Sequence, residues 1–352
     1  MTLSRGAIGN LVNRYRAVLR KCRMMNVFGS LAVAGMLVAG NAGFAGAEEL
    51  SGDISPISLS GDTRNIIGVG DISLRSTEPA LRYLINVSGQ GQLDISMSNG
   101  SPMAVGHADG IYLKDYSDSD QYASAFHVAG SGSSGSFVGT GTFSMVGGGK
   151  LLGVCAFLSE SKGTLTLSGD ITGEAEAVMN GSNGYASFAA AAAGGNLVFG
   201  GDRTTLRAKA STGNNANGAF VKYGGMIDFA SKSVLIESKN TDSNSVGINC
   251  ADGTVKTSAD TDLDIVVEGN KATTGIQLTA SSSDVQLAGN LDLTATQTGQ
   301  DSFASVLGIS NDSGKMVVSG PTSLRLVTNA PFDAKGITAS GKADMSFLGD
   351  VE

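Results

Sequence analysis

The sequence is poor in the residues that build most small catalytic and metal sites. Among 352 residues there are no tryptophans, 5 prolines, 3 cysteines and 2 histidines. So few cysteines and histidines cannot form a recurrent zinc-binding pattern, and no phosphate-binding loop of the Gly-x-x-x-x-Gly-Lys-Ser/Thr type is present. The 50 glycines and 41% hydrophobic residues instead favour β-structure with many tight corners over disorder.

The amino terminus has the pattern of a secretory signal peptide. A basic block, Arg14 to Arg23, precedes a short apolar run from Val27 to Ala39, and a small-x-small motif follows at Ala45-Gly46-Ala47. The apolar run is too short to span a membrane comfortably. We therefore predict a signal peptide over residues 1–47, cleaved after Ala47, with Ala45 and Ala47 as recognition residues and Glu48 as the first mature residue.

Removal of this segment makes the protein strongly acidic. All 32 acidic residues but only 18 basic residues follow Ala47, which gives residues 48–352 a net charge of −14. Such a surface repels nucleic acids and anionic membranes, so we expect no nucleic-acid partner and no membrane-embedded segment in the mature protein. Cys155 and Cys250 fall three repeat units apart, beyond the reach of a disulfide, and are predicted to be buried free thiols.

A sequence repeat dominates the last 135 residues. Each unit begins with Gly and an apolar residue and continues through two apolar strands separated by polar corners. The units start at Gly218-Ala219, Gly247-Ile248, Gly275-Ile276, Gly308-Ile309 and Gly336-Ile337. This period predicts a right-handed parallel β-helix with three-strand rungs of about 28–34 residues. An antiparallel β-sandwich, the competing fold, predicts no such long period.

The repeat can be extended upstream, to Gly184-Tyr185 and Gly153-Val154. We therefore predict regular β-helix repeats over residues 153–352, with the last unit incomplete. Residues 48–152 are predicted to form an irregular N-terminal part of the β-helix or a capping segment. The alanine run Ala189–Ala193 fits either a tightly packed rung or a short helix.

Motifs with possible chemistry all have simpler structural interpretations. The glycine pattern from Gly130 to Gly135 lacks the following helix of a dinucleotide site, and Asn311-Asp312-Ser313-Gly314 resembles a protease nucleophile loop but lies in a corner of the repeat. Two acidic sets could hold calcium: Asp115, Asp118 and Asp120, and Asp260, Asp262 and Asp264. Three arginines could serve a glycan-active enzyme: Arg203, Arg207 and Arg325. Asp262 and Asp264 alternate with apolar residues, which predicts the outer face of a strand. We predict no catalytic, cofactor-binding or metal-binding residue.

With its basic leader, Ala45-Gly46-Ala47 and units such as Gly289-Asn290-Leu291-Asp292-Leu293, the chain resembles the passenger region of a bacterial autotransporter (type V secretion) adhesin. The resemblance implies export to the cell surface or secretion. It also implies attachment to a host-cell or matrix surface, to a glycan, or to other copies of the chain. That family ends in an outer-membrane β-barrel translocator, whereas this sequence stops at Glu352 within a unit, which favours a fragment. A secreted polysaccharide lyase or glycoside hydrolase is the alternative.

Overall fold

The computed structural model describes residues 47–98, 100–108, 122–148, 153–178, 186–211, 215–299, 305–329 and 334–352. Glu48–Glu352 form one compact unit. Within the described ranges every regular element is a β-strand. None of these residues forms a helix that is long and apolar enough to cross a membrane.

The strands belong to two parallel sheets. The ten-stranded sheet contains β2 (Ile57–Ser60), β4 (Tyr83–Ser88), β7 (Tyr122–Ala129), β9 (Gly153–Glu160), β11 (Ala186–Ala193), β13 (Asn215–Lys222), β16 (Ser245–Cys250), β19 (Thr273–Leu278), β22 (Val306–Asn311) and β25 (Ala334–Ala339). The 16-stranded sheet contains β1 (Glu48–Ile54), β3 (Thr63–Ser76), β5 (Gln92–Met97), β6 (Pro102–His107), β8 (Ser134–Gly147), β10 (Thr164–Ala177), β12 (Asn196–Ala210), β14 (Gly225–Phe229), β15 (Ser233–Asn240), β17 (Gly253–Thr257), β18 (Asp262–Gly269), β20 (Asp284–Leu287), β21 (Asn290–Gln297), β23 (Lys315–Val318), β24 (Thr322–Thr328) and β26 (Asp344–Phe347).

The chain visits these sheets in a fixed cycle, which makes it a β-solenoid. From β13 to β24, each turn has one strand in the ten-stranded sheet and two in the 16-stranded sheet, as in β16, β17 and β18. Each strand pairs in parallel with its counterpart in the next turn. The predicted parallel β-helix with three strands per turn is therefore confirmed in this part of the chain.

In four turns, one long, bent strand takes the place of the two strands that other turns contribute to the 16-stranded sheet. These are β3, β8, β10 and β12, and each bends at a glycine with positive φ: Gly70, Gly139, Gly169 and Gly201. Glycine is favoured there because side chains are strained in this conformation. In β12, Asn196–Phe199 pair with β14 and Arg203–Ala210 pair with β15, so one bent strand is continued by two separate strands in the next turn.

The register confirms the five predicted repeat starts and corrects their upstream extension. Ala219, Ile248, Ile276, Ile309 and Ile337 lie opposite one another in successive strands. Upstream, Ala219 pairs with Ala190, and Ala190 pairs with Phe157. The predicted starts at Gly184-Tyr185 and Gly153-Val154 are thus wrong. The residues equivalent to Gly218 are alanines in these two turns, Ala189 and Ala156, so the glycine that marks the later units is missing. Gly184 and Tyr185 themselves lie outside the described residues.

In the interior, side chains of the same type lie next to one another in neighbouring turns. Phe137, Phe143, Phe157, Phe199 and Phe229 form a ladder with ring centroids 5.0–5.6 Å apart. Most of these pairs meet edge to face or tilted, and Phe199 and Phe229 are stacked; aromatic pairs of this kind contribute about 0.5–1.5 kcal/mol each beyond the area that they bury. The alanine run forms the buried strand β11 rather than a helix.

Both cysteines that follow the predicted signal peptide are buried and free, as expected. Burial raises the pKa of the Cys250 thiol to about 11 and that of Cys155 well above its ordinary value. Both thiols are therefore protonated near neutral pH, which makes them poor nucleophiles.

Candidate functional site

The predicted cleavage site lies at the edge of the described structure. Ala45 falls outside the described residues, Ala47 is the first described residue, and Glu48 opens β1. The Glu48 carboxylate accepts hydrogen bonds of 2.7 and 2.9 Å from Arg64 of the next turn. Glu48 thus belongs to the first strand of the solenoid, and cleavage after Ala47 stays a prediction.

Two of the sequence motifs are corners of the solenoid. The glycine pattern from Gly130 to Gly135 spans the corner after β7 and the first two residues of β8, with positive φ at Gly130 and Gly132. The buried Asn311 side chain donates to the Gly314 carbonyl at 2.9 Å and accepts from the Gly314 amide at 2.7 Å, which closes the corner between β22 and β23. His127 lies six strands away in the ten-stranded sheet, about 29 Å at the usual strand spacing, so it cannot act with Ser313.

The structure describes only one of the two acidic sets. Asp115, Asp118 and Asp120 lie outside the described residues. Asp262 and Asp264 point outward from β18, as predicted, and Asp260 lies in the preceding corner. No group of three histidine, cysteine, aspartate or glutamate residues within the described ranges is arranged to hold a metal ion.

Stacking brings Asp262 and Asp264 together with residues that are distant in sequence. Asp264 lies opposite Asp292 of β21, and Asp262 lies opposite Asn290, whose amide donates to it at 2.7 Å. These residues line an open groove of about 540 Å³ together with Ser323, Asp350 and Glu352. Partial burial, Asp292 and Asp262 raise the pKa of Asp264. We call this surface the acidic groove.

The three arginines lie on the same side of the solenoid as the acidic groove. Arg203 is opposite Asp170, and Arg325 is opposite Thr294. Arg207 lies between Glu174 and Glu237 of the adjacent turns and donates to them at 3.2 and 2.5 Å. The sequence offered no carboxylate ladder for these arginines; the structure forms one at Arg207, from partners that lie 33 and 30 residues away.

A second polar cluster lies on the outer face of the ten-stranded sheet. His127 Nδ1 is 2.8 Å from Asn86 Oδ1, and His127 Nε2 is 3.0 Å from Glu160 Oε2. The imidazole also stacks on Tyr83 with ring centroids 4.0 Å apart. Because both ring nitrogens are engaged and the side chain is almost fully buried, His127 is held as part of the packing rather than presented to a substrate.

Aromatic rings continue along this face and enclose a lysine. Tyr122, Phe188 and Phe220 pack side by side, with centroids 6.0 and 4.8 Å apart. Lys222 Nζ lies 5.0 Å from the Tyr122 ring, 5.7 Å from that of Phe220 and 4.5 Å from that of Tyr223. The sequence gives no motif for this cluster, because Tyr122, Phe188 and Phe220 come from three different turns.

Comparison with known proteins adds no assignment. No protein-family model matches the chain, and neither the curated proteins nor the solved structures gave a significant match. The proposals for function therefore depend on the geometry of the solenoid.

Proposed function

We propose that the chain is an exported, non-enzymatic binding protein that attaches to a surface, or to its own copies, through the side of its solenoid. This is the role of an adhesin-like passenger of the autotransporter type, displayed on the bacterial surface or secreted. A long parallel solenoid supports it by presenting extended lateral faces on a rigid ladder of strands. The acidic groove is the observation that carries the proposal.

Upstream of the groove, charged side chains neutralise one another between turns. Arg207 pairs with two glutamates, Lys232 with Asp202 at 2.6 Å, and Lys239 with Glu268 at 3.0 Å. The carboxylates of Asp264 and Asp292 have no such cationic partner among the described residues. The groove therefore carries uncompensated negative charge, which is complementary to a basic surface patch on a partner.

A charge-neutralising double variant tests this proposal. The full chain is applied to immobilised cells and matrix proteins beside the variants Asp264→Asn/Asp292→Asn and Asp71→Asn/Asp344→Asn. The second pair removes the same charge from exposed positions elsewhere in the 16-stranded sheet. We expect retention to be salt-dependent and at least tenfold weaker for the groove variant alone, and sedimentation of the isolated chain distinguishes self-association. Equal retention of both variants, or no retention of the unmodified chain, would contradict the proposal.

A glycan-cleaving enzyme is the second candidate, and the Asp264–Asp292 pair favours it. Glycosidases use two carboxyl groups on opposite sides of the scissile bond, one of them with a raised pKa as the general acid. The pKa of Asp264 is raised, and Asp292 lies on the adjacent strand. Incubation with acidic and neutral polysaccharides should then release reducing-end or unsaturated products, and Asp264→Asn should abolish them. Absence of any product would eliminate this candidate while leaving attachment intact.

A further inference from the structure

Tyr223 combines high exposure with an unfavourable backbone conformation. It occupies the corner between β13 and β14, its φ is 56°, and it is 71% exposed. The other described non-glycine residues with positive φ are Gln90, Ser161 and Lys162, all of them polar. A bulky residue is strained in this region, which glycine and asparagine tolerate best. Strain of this kind is often retained where a side chain contacts a ligand.

The neighbouring lysine is held in place by aromatic rings. The Lys222 ammonium lies over three aromatic rings, that of Tyr223 at 4.5 Å being the nearest, and it makes no ion pair with any described residue. Cation–π contacts hold the ammonium without cancelling its charge. Glu160, a carboxylate on the same sheet, is engaged by His127.

The adjacent turn packs a glycine against the tyrosine. Gly194, with φ of 75°, lies next to Tyr223, and a Cβ placed on it would be 3.2 Å from the Tyr223 carbonyl oxygen and 3.8 Å from the Tyr223 Cβ. Gly195 follows it, so neither corner residue of that turn carries a side chain. An exposed ring therefore stands next to a corner without side chains, beside an ammonium that pairs with no carboxylate of the described residues.

We propose that Tyr223 and Lys222 form a subsite for a glycan that ends in a negatively charged sugar. The apolar face of the sugar ring stacks on Tyr223, and the sugar's carboxylate pairs with Lys222. Because residues 48–352 carry 32 acidic and 18 basic residues, a long polyanion is repelled, whereas a single terminal charge is accommodated. This subsite rests on the proposed role in attachment and names a ligand class for it, at a position separate from the acidic groove.

Three variants of the full chain test the subsite. Tyr223→Asn removes the ring and retains a residue that accepts positive φ; Lys222→Gln removes the charge and keeps a side chain of similar length. Lys315→Gln is the matched control, since it removes the same charge from an exposed position of the other sheet, in β23. Binding is measured by calorimetry with sialyllactose, with lactose sulfate as a second anion and with lactose as the neutral sugar.

We expect sialyllactose to bind, and Tyr223→Asn and Lys222→Gln each to weaken that binding at least tenfold, whereas Lys315→Gln leaves it unchanged. Lactose should bind at least tenfold more weakly than sialyllactose, and the sulfate arm shows whether a carboxylate is required. Tyr223→Asn should also raise the unfolding midpoint, because backbone strain is released. Unchanged binding in both variants overturns the inference, as does a joint loss of binding and stability in Tyr223→Asn, which would indicate that Tyr223 only packs. If sialyllactose fails to bind while the groove-dependent attachment persists, the subsite is wrong and the proposed function stands; if both fail, both are wrong.

Discussion

Replacement of the repeated glycine by alanine should destabilise the protein in an inner turn and not in the last one. In Gly275→Ala, the new methyl group would lie 2.6 Å from Leu293 Cδ2 and 2.6 Å from the Gly308 carbonyl oxygen. The same change at Gly336, the equivalent position of β25, meets no heavy atom within 4 Å. Both variants carry the same substitution, so the difference between their free energies of unfolding reports the packing of the interior.

The expected magnitudes follow from two opposing effects. Overpacking a close-packed interior costs about 1–3 kcal/mol, and at Gly275 one of the crowded atoms belongs to the backbone and cannot rotate away. Alanine at a compatible position stabilises by about 0.4–1 kcal/mol, because it restricts the unfolded chain. We therefore expect Gly275→Ala to lose about 2 kcal/mol and Gly336→Ala to gain about 0.5 kcal/mol.

Urea unfolding followed by circular dichroism measures this difference, with the slope of the transition compared between variants. A solenoid can unfold turn by turn, so amide exchange of β19 and β25 should accompany the urea curves. A Gly275→Ala variant as stable as the unmodified chain would refute the packing argument. So would a Gly336→Ala variant that is destabilised to the same extent.

Five further outcomes are expected. Asn311→Ala should lower the free energy of unfolding by about 1–3 kcal/mol, because it leaves buried backbone groups unpaired; urea unfolding checks this. Arg207→Met should cost less than about 1 kcal/mol and lose its effect in high salt, since the ion pairs are partly exposed. Cys155 and Cys250 should react with a thiol reagent only on unfolding. Because their pKa values are raised in the folded state, the unfolded chain releases these protons first, and stability should fall from about pH 8.5 upward. Asp264 should titrate above the ordinary range of an aspartate and return toward it when its aspartate neighbours are changed to asparagine, as carboxyl NMR would show.

Local sequence determined the strands, corners and stacking of the solenoid. The spacing of Gly275-Ile276 and its counterparts predicts both the fold and the register, because identical positions must stack in successive turns. The interpretation of Asn311 to Gly314 as a corner was confirmed for the same reason. Where alanine replaces glycine, at Ala189-Ala190, the motif loses its marker and the predicted register failed.

The tertiary structure alone decided which side chains meet across turns. The pairing of Asp264 with Asp292, of Arg207 with its glutamates and of Lys222 with the Tyr122 ring requires the register of each turn against its neighbours. Corner lengths differ between turns, so partners are separated by unequal steps in the sequence and leave no motif. The exposure and strain of Tyr223 likewise follow from the geometry of one corner, which residue identity alone does not specify.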